Sequence, residues 1–439
     1  MRVLVWGLGY VGTVSAACLA ELGHDVIGVE TSRAKVESLN AGVSAIREPG
    51  LDTLVRKAVS SRKLRAVYEG ETSVQHTDIS LVCVGTPSTV EGGPTLDFLR
   101  SVARDIGRGL KQATNEHVVV IRSTVFPGTL RNVIVPILEE HSTRRVGRDF
   151  GVAANPEFMR EASAIEDFYT PPYTVIGQYD AASGDRIEAL YRGVNAQTYR
   201  VSIEEAELVK VINNAFHALK AGFANEIGRI CDRIQVDSHA VMQLVCADTK
   251  LNISPAYMRP GFAFGGSCLP KDLRSLTFHA RRLGLELPIL EGIMPSNRLQ
   301  IEAARIKIHE IGARQVAVLG LSFKAGTDDL RESAVIPLIR DLWQDGVNIR
   351  VHDPDVDPST MLGSNLEYLQ RQLPQIREIF CENLQETLDG SDAIIVAQKR
   401  PDFIEALRSV DGHSAVIDLV RLDPARSLPG VARYKGMSW

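Results

Sequence analysis

At 439 residues the chain is too long for one hydrophobic core, and 44% hydrophobic with 23% charged residues is an ordinary globular composition. A formal net charge of −5 supplies no general positive field, so it argues against nucleic acid or an anionic membrane as partner. Six cysteines with no CxxC and no His/Cys cluster argue against a disulfide scaffold or a metal site, which leaves reduced thiols and a cytoplasmic address as the simplest reading.

The first stretch, Arg2, an apolar run and Ala16-Ala17-Cys18-Leu19-Ala20, mimics a secretory signal, but Gly7, Gly9 and Gly12 break the run and a single Arg makes a poor basic region. No apolar run approaches the roughly 20 residues that span a bilayer. Short apolar segments at Arg2–Trp6, 25–30, 79–84, 118–122, Gly151–Ala154 and 174–177 predict strands buried on both faces, as in a parallel α/β sheet. Residues 204–234 predict one long helix, with helical periodicity to about residue 309. A second alternating block then predicts strands at Gln315–Leu319, Asn348–His352, 393–397 and Ala415–Asp418. The expected fold is two Rossmann-like, doubly wound α/β domains joined by a long central helix and helical segment. Its parts are residues 1–200, 201–310 and 311–439.

Strand Arg2–Trp6 runs into Gly7-Leu8-Gly9-Tyr10-Val11-Gly12, a G-x-G-x-x-G in the strand–helix context that gives it meaning. Gly7 permits the tight turn, Gly9 lets a pyrophosphate approach the backbone, and Gly12 lets helix and strand pack. The helix N-terminus offers N–H donors to the phosphates. Glu30, ending the second strand, is placed to bind both ribose hydroxyls and would repel a 2′-phosphate. NAD is therefore favoured over NADP, although Arg33 and Lys35 nearby leave NADP open. Two later strands run into small polar turns that carry Thr86 and Thr124, where nicotinamide and substrate meet in an open parallel sheet. Either could also be a turn or cap residue.

On the central helix, Asn214, His217 and Asn225 fall within about 60° of Lys210, while Ile212, Phe216, Leu219, Phe223, Ile227 and Ile230 fall opposite. A solvated face is the plain alternative, but Asn and His are poorer helix formers than the usual surface residues, which favours donors facing a ligand. Of the six cysteines, Cys18, Cys83, Cys231 and Cys246 read as small buried hydrophobes and Cys381 gives no signal. Cys268 differs, because Gly265-Gly266 precede it and Pro270-Lys271-Asp272 follow at an expected helix start. Helix N-termini and neighbouring lysines stabilise thiolates. Beside a dinucleotide site, a nucleophilic cysteine can hold an aldehyde as a thiohemiacetal, release a second hydride to give a thioester, and be freed by water.

These segments together resemble the UDP-glucose/GDP-mannose dehydrogenase family. The resemblance runs through Gly7–Gly12, Cys83-Val84-Gly85-Thr86-Pro87, Arg122-Ser123-Thr124-Val125-Phe126-Pro127-Gly128-Thr129 and Asn155-Pro156-Glu157-Phe158-Met159-Arg160-Glu161. It continues through Gly265-Gly266-Ser267-Cys268-Leu269-Pro270-Lys271-Asp272 and the segment from Gly320 to Ser333. The resemblance implies a four-electron NAD enzyme that oxidises the primary alcohol of a nucleotide sugar to a carboxylate. It further implies an interlocked homodimer built through the central region. Met258 to Gly266, His217 and Ser322–Gly326 are most similar to the branch acting on GDP-mannose, with UDP-glucose or a UDP-N-acetyl sugar as the alternative.

By the same resemblance Cys268 is the nucleophile, and Lys210 and Asn214 stabilise the oxyanion. Thr124, Glu157 and Asp272 position or activate water, with Glu157 the general base. Glu161, Lys210, Asn214, His217, Asn225, Tyr257, Arg259, Phe262, Gly265 and Lys324 contact the sugar nucleotide. Tyr10, Val11, Glu30, Lys35, Thr86, Thr124, Lys271 and Arg331 contact NAD. Two rival readings are a non-catalytic NAD-binding protein and a two-electron dehydrogenase that needs no cysteine.

Overall fold

The computed structural model describes residues 1–439 except 88–92, 259, 267, 360, 362, 411–412, 424–432 and 438–439, together with the side chains of 363–365. The chain folds as two compact units, Met1–Ala218 and Leu219–Trp439.

The first unit is built on eight strands: β1 (Arg2–Trp6), β2 (Asp25–Val29), β3 (Leu64–Val67), β4 (Ile79–Val82), β5 (Val118–Ile121), β6 (Gly151–Ala154), β7 (Thr174–Gln178) and β8 (Thr198–Val201). Their spatial order is β3-β2-β1-β4-β5-β6-β7-β8, and every neighbouring pair is parallel except β6 with β7. Strand β1 lies between β2 and β4, so the order reverses at the end of β1, where an open sheet leaves a crevice for a ligand. The near-continuous apolar sequences follow from burial on both faces. Val3 and Val5 enter one core with Val14, Ala17 and Leu19, and Leu4 and Trp6 enter the other with Leu99, Ile106 and Leu110.

The long helix runs from Ile203 to Arg233 without a break. Phe223, Ile227 and Ile230 pack on a small core of Ala280, Leu287 and Leu290, but Ile212, Phe216 and Leu219 are exposed. The expected apolar face is therefore covered only in its later half. The helix Ser238–Ala247 has no buried residue, and Cys246 upon it is exposed. Cys246 is therefore not the buried hydrophobe expected, because the described residues bury no position of that helix.

In the second unit, helices Leu269–Arg282 and Pro288–Ile311 precede a parallel sheet of β9 (Gln315–Leu319), β10 (Asn348–His352), β11 (Ala393–Val396), β12 (Ala415–Asp418) and β13 (Arg433–Gly436). Its order is β10-β9-β11-β12-β13. No helix among the described residues is long and apolar enough to cross a membrane.

Candidate active site

The turn after β1 fits a dinucleotide. Gly7 has φ +89°, a left-handed conformation that side chains resist, and a Cβ on Gly12 would lie 1.8 Å from the Gly7 carbonyl oxygen. Gly9 is different, since a Cβ there would meet no protein atom within 4 Å. Protein packing makes no demand for glycine at that position, whereas close approach of a pyrophosphate does. Gly9 precedes the helix Tyr10–Glu21, whose first turn has neither a side-chain cap nor an acidic residue, so its N–H donors and positive dipole end remain available. Gly7, Gly9, Glu30, Thr31, Lys35, Val84 and Gly85 help line a cavity of about 730 Å³.

Glu30 is one of four acidic residues lining this cavity, with Glu69, Glu71 and Asp105. Its carboxylate accepts the backbone N–H of Leu8 (3.2 Å) and Ser32 (3.1 Å), and Lys35 Nζ lies at 3.4 Å. Burial opposes ionisation, but these three donors outweigh it and hold the carboxyl below its usual range. Lys35, expected to touch the cofactor, pairs with Glu30 and fixes its direction.

Thr86, beyond β4, donates from its hydroxyl to the carbonyl of Thr124, beyond β5, at 2.8 Å. The two threonines expected at the strand ends are therefore joined. Glu157, beyond β6, meets Lys210 of the long helix, with Oε1 to Nζ 3.0 Å and side chains 11% and 12% exposed. Glu157 Oε2 also accepts Met159 N–H at 2.7 Å, and the Lys210 ammonium lies 5.6 Å from the Phe158 ring centre. A largely desolvated lysine with an anionic partner is a fixed positive centre, suited to stabilising a developing oxyanion. Asn214 and His217 follow on the same helix, both exposed, as is Asn225 further along it.

In the second unit Cys268 is the N-cap of helix Leu269–Arg282, exposed, with Pro270 in the first turn and the Asp272 N–H bonded to the Cys268 carbonyl at 2.9 Å. The glycines before it serve close packing. A Cβ on Gly265 would lie 2.3 Å from the Glu332 carbonyl oxygen, and Gly266, at φ +92°, donates its N–H to that oxygen at 3.1 Å. The cysteine turn thus rests on the end of the Gly320–Ser333 segment. Arg331 there is held above the ordinary arginine range, first by its hydrogen bond to Asp329 and then by that carboxylate's charge, and its guanidinium lies within electrostatic range of the Cys268 sulfur. Lys271 and Arg331 line a basin of about 430 Å³ with Arg274, Glu332 and Arg371. Asp272 is exposed and pairs with Lys271 at 3.4 Å.

Of the remaining expected contacts, Glu161 and Lys324 are exposed, Tyr257 is exposed at φ +61°, and Phe262 packs on the second core. Arg259 lies outside the described residues. Several supporting groups went unread in the sequence. Glu207, buried on the long helix, accepts Gly128 N–H and Leu130 N–H at 2.7 Å each, which holds the turn after Thr124. Glu226 does the same for Ile289 (2.8 Å) and Leu290 (3.0 Å) at the start of helix Pro288–Ile311. Arg122 reaches Asn155 Oδ1 (2.7 Å) and the Tyr191 hydroxyl (2.8 Å), tying β5 to β6. Glu226 lies about 160° around the helix from Lys210, on its apolar side, which was its only signal, whereas Glu207, about 60° from Lys210, falls with the polar stripe and gave none. Among the described residues no cluster of His, Cys, Asp and Glu could hold a metal ion.

Models of the UDP-glucose/GDP-mannose dehydrogenase family match the chain in three consecutive parts, the NAD binding domain over residues 1–195, the central domain over 204–299 and the UDP binding domain over 317–422. The chain belongs to this family. Its first part is the family's NAD binding domain, and NAD is the cofactor. The chain is 44% identical to GDP-mannose 6-dehydrogenase of Pseudomonas putida over 439 residues, covering 100% of both chains. It is 36% identical to UDP-glucose 6-dehydrogenase AglM of Haloferax volcanii over 447 residues, covering 100% of this chain and 99% of the relative. Among solved structures, a ternary complex of GDP-mannose dehydrogenase from Pseudomonas aeruginosa matches at 42% identity and TM-score 0.95, covering 100% of both chains.

Proposed function

We propose that the protein oxidises the C6 hydroxymethyl group of GDP-mannose to a carboxylate, giving GDP-mannuronate, through a thiohemiacetal and a thioester on Cys268. The observation that carries this reading is Cys268 itself, an exposed thiol capping a helix, on a turn shaped by two glycines, within electrostatic range of Arg331. A two-electron oxidation has no use for such a group. GDP-mannose is favoured over UDP-glucose by the higher identity to GDP-mannose 6-dehydrogenases over the whole chain.

When bound, NAD supplies the oxidising chemistry, taking one hydride from the alcohol and, as a second equivalent, another from the thiohemiacetal. Gly7, Gly9, Tyr10, Val11 and Gly12 hold its pyrophosphate and Glu30 its ribose hydroxyls, with Lys35, Thr86, Thr124, Lys271 and Arg331 as further contacts. The Cys268 sulfur adds to the aldehyde carbon, forming the C–S bond as the carbonyl electron pair moves to oxygen. Lys210 and Asn214 stabilise that oxyanion, a role typically worth a few kcal/mol per donor. Glu157 then takes a proton from water as it attacks the thioester carbonyl. The C–S bond breaks, Glu157 returns that proton to the departing sulfur to regenerate the thiol, and the product acid releases its own proton to solvent as the carboxylate. Thr124 and Asp272 position the water. Glu161, His217, Asn225, Tyr257, Arg259, Phe262, Gly265 and Lys324 bind the sugar nucleotide.

The proposal divides the chain by role: residues 1–200 for the cofactor, 201–310 for dimerisation and catalytic donors, and 311–439 for the nucleotide. An interlocked homodimer is supported by the apolar side chains exposed in the middle part, among them Ile212, Leu219, Leu244 and Leu299. A reducing, cytoplasmic setting belongs to the proposal, because the mechanism needs Cys268 as a thiol.

Absorbance at 340 nm, with excess NAD and limiting sugar nucleotide, tests the reading. The expected result is two NADH per GDP-mannose, and none in steady turnover for Cys268→Ser. Two NADH per UDP-glucose with GDP-mannose inert would reassign the substrate. One NADH per sugar, with Cys268→Ser fully active, would overturn the covalent mechanism.

A further inference from the structure

Glu48 is a buried carboxylate, 7% exposed, in the loop ahead of helix Leu51–Ser60, and the mechanism above gives it no part. It has no basic partner among its hydrogen bonds. Instead its Oε2 accepts the Tyr10 hydroxyl and the Ala162 N–H (2.8 Å), and its Oε1 accepts the Ala164 N–H (2.9 Å). A buried carboxylate is costly unless its lone pairs are met, and here three donors from two distant segments meet them.

Both ends of this connection matter. Tyr10 is the first residue of the helix whose N-terminus faces the dinucleotide cavity. Ala162 has φ +69°, a conformation that a residue with a side chain adopts only when its surroundings impose it. Glu161 immediately precedes Ala162. On its other side the Arg160 N–H is held by Asp167 at 2.8 Å, and the Arg160 guanidinium closes on the same carboxylate at 2.7 and 3.0 Å. Two carboxylates therefore clamp the backbone before and after Glu161, and only the Glu48 clamp also reaches the cofactor helix.

We propose that Glu48 is a positioning residue that joins Tyr10 to the backbone beside Glu161, so that occupation of the dinucleotide cavity and binding of the sugar nucleotide strengthen one another. The proposal rests on the assignment of Tyr10 to the cofactor and Glu161 to the sugar nucleotide. The connection runs through one carboxylate, so removing the phenol or neutralising the acid breaks the same link.

NADH binding, followed by its fluorescence with and without saturating GDP-mannose, reads the coupling without turnover. In the unaltered protein GDP-mannose should tighten NADH about fivefold or more, the usual size of such coupling. Glu48→Gln and Tyr10→Phe should each bring that factor close to one. Both should raise KM for GDP-mannose about tenfold while kcat changes less, the pattern of lost binding rather than lost chemistry. The double variant should be no worse than Glu48→Gln alone, since both act on one link. Tyr10→Phe keeps Glu48 and the loop intact, so it serves where Glu48→Gln folds poorly. Coupling and KM unchanged in a folded variant whose melting temperature alone has dropped would show a structural role and overturn the proposal, as would an unaltered protein without coupling. A protein inert towards both GDP-mannose and UDP-glucose would overturn the functional reading first and this one with it.

Discussion

Two of the three glycines in Gly7-Leu8-Gly9-Tyr10-Val11-Gly12 are separated by what surrounds them. Gly12 is required by the fold, because any side chain there collides with the Gly7 carbonyl. Gly9 is not required by the fold, because the space beside it belongs to no protein atom, and the proposed function gives that space to the pyrophosphate. Substituting each with alanine separates the two. Gly9→Ala should melt within a few degrees of the unaltered protein yet bind NADH at least about tenfold more weakly, a loss of roughly 1.4 kcal/mol. Gly12→Ala should be destabilised by several kcal/mol, the usual cost of forcing backbone and helix apart, and yield little folded protein. Calorimetry alongside NADH titration checks both, and a Gly9→Ala variant with unchanged NADH affinity would remove the pyrophosphate from that turn.

Strand β5 begins beside a buried histidine that makes the first sheet sensitive to acid. His117 Nδ1 lies 2.9 Å from the Thr77 carbonyl oxygen and Nε2 lies 2.9 Å from Ser80 Oγ, which also receives the Trp6 indole N–H. This chain of bonds is satisfied by a neutral ring carrying its proton on Nδ1. Burial pushes the imidazole down to about 4 from 6.5, against the pull of the Thr77 carbonyl and of Asp78. The unfolded chain binds this proton more readily, so the stabilisation is complete above pH 6.5 and is lost as pH falls towards 4. The sum is on the order of 3 kcal/mol at about 1.4 kcal/mol per pH unit. Melting temperature measured from pH 7 to pH 5 should fall, and His117→Asn, which keeps a donor for Thr77, should flatten that slope. Equal slopes in the two proteins would place the acid sensitivity elsewhere.

The same scale shows why parts of the fold were hidden in the sequence. Strands β1, β4, β5, β9, β11 and β12 are buried on both faces and spell themselves as apolar runs. The strands that escaped notice, β3, β8 and β13, all lie at sheet edges, where Arg65, Tyr199, Arg200 and Lys435 face solvent and interrupt any run. β13 also gives the C-terminal tail a place in the second sheet, while Trp439 lies outside the described residues. The site divides in a similar way. The glycine turn and the Cys268 turn are local, with their chemistry written in consecutive residues. Glu48 and Glu207 act on backbone 77 to 116 positions away, a relation that no window of sequence contains.

For the molecule as a whole, the long helix is the element on which the most depends. It spans 31 residues, about 46 Å at roughly 1.5 Å per residue, and presents Lys210 and Asn214 on one stripe and exposed Ile212 and Leu219 on another. In the proposed homodimer a second copy covers the apolar stripe and thereby stiffens the rod that carries the oxyanion donors. Specific activity should therefore decline as the protein is diluted below its dissociation constant, in step with a fall in mass by light scattering. A monomer of undiminished activity would refute this. The rate constant in such a design is not a property of one chain: the concentration of the protein acts as its own activator, and dilution alone inhibits it.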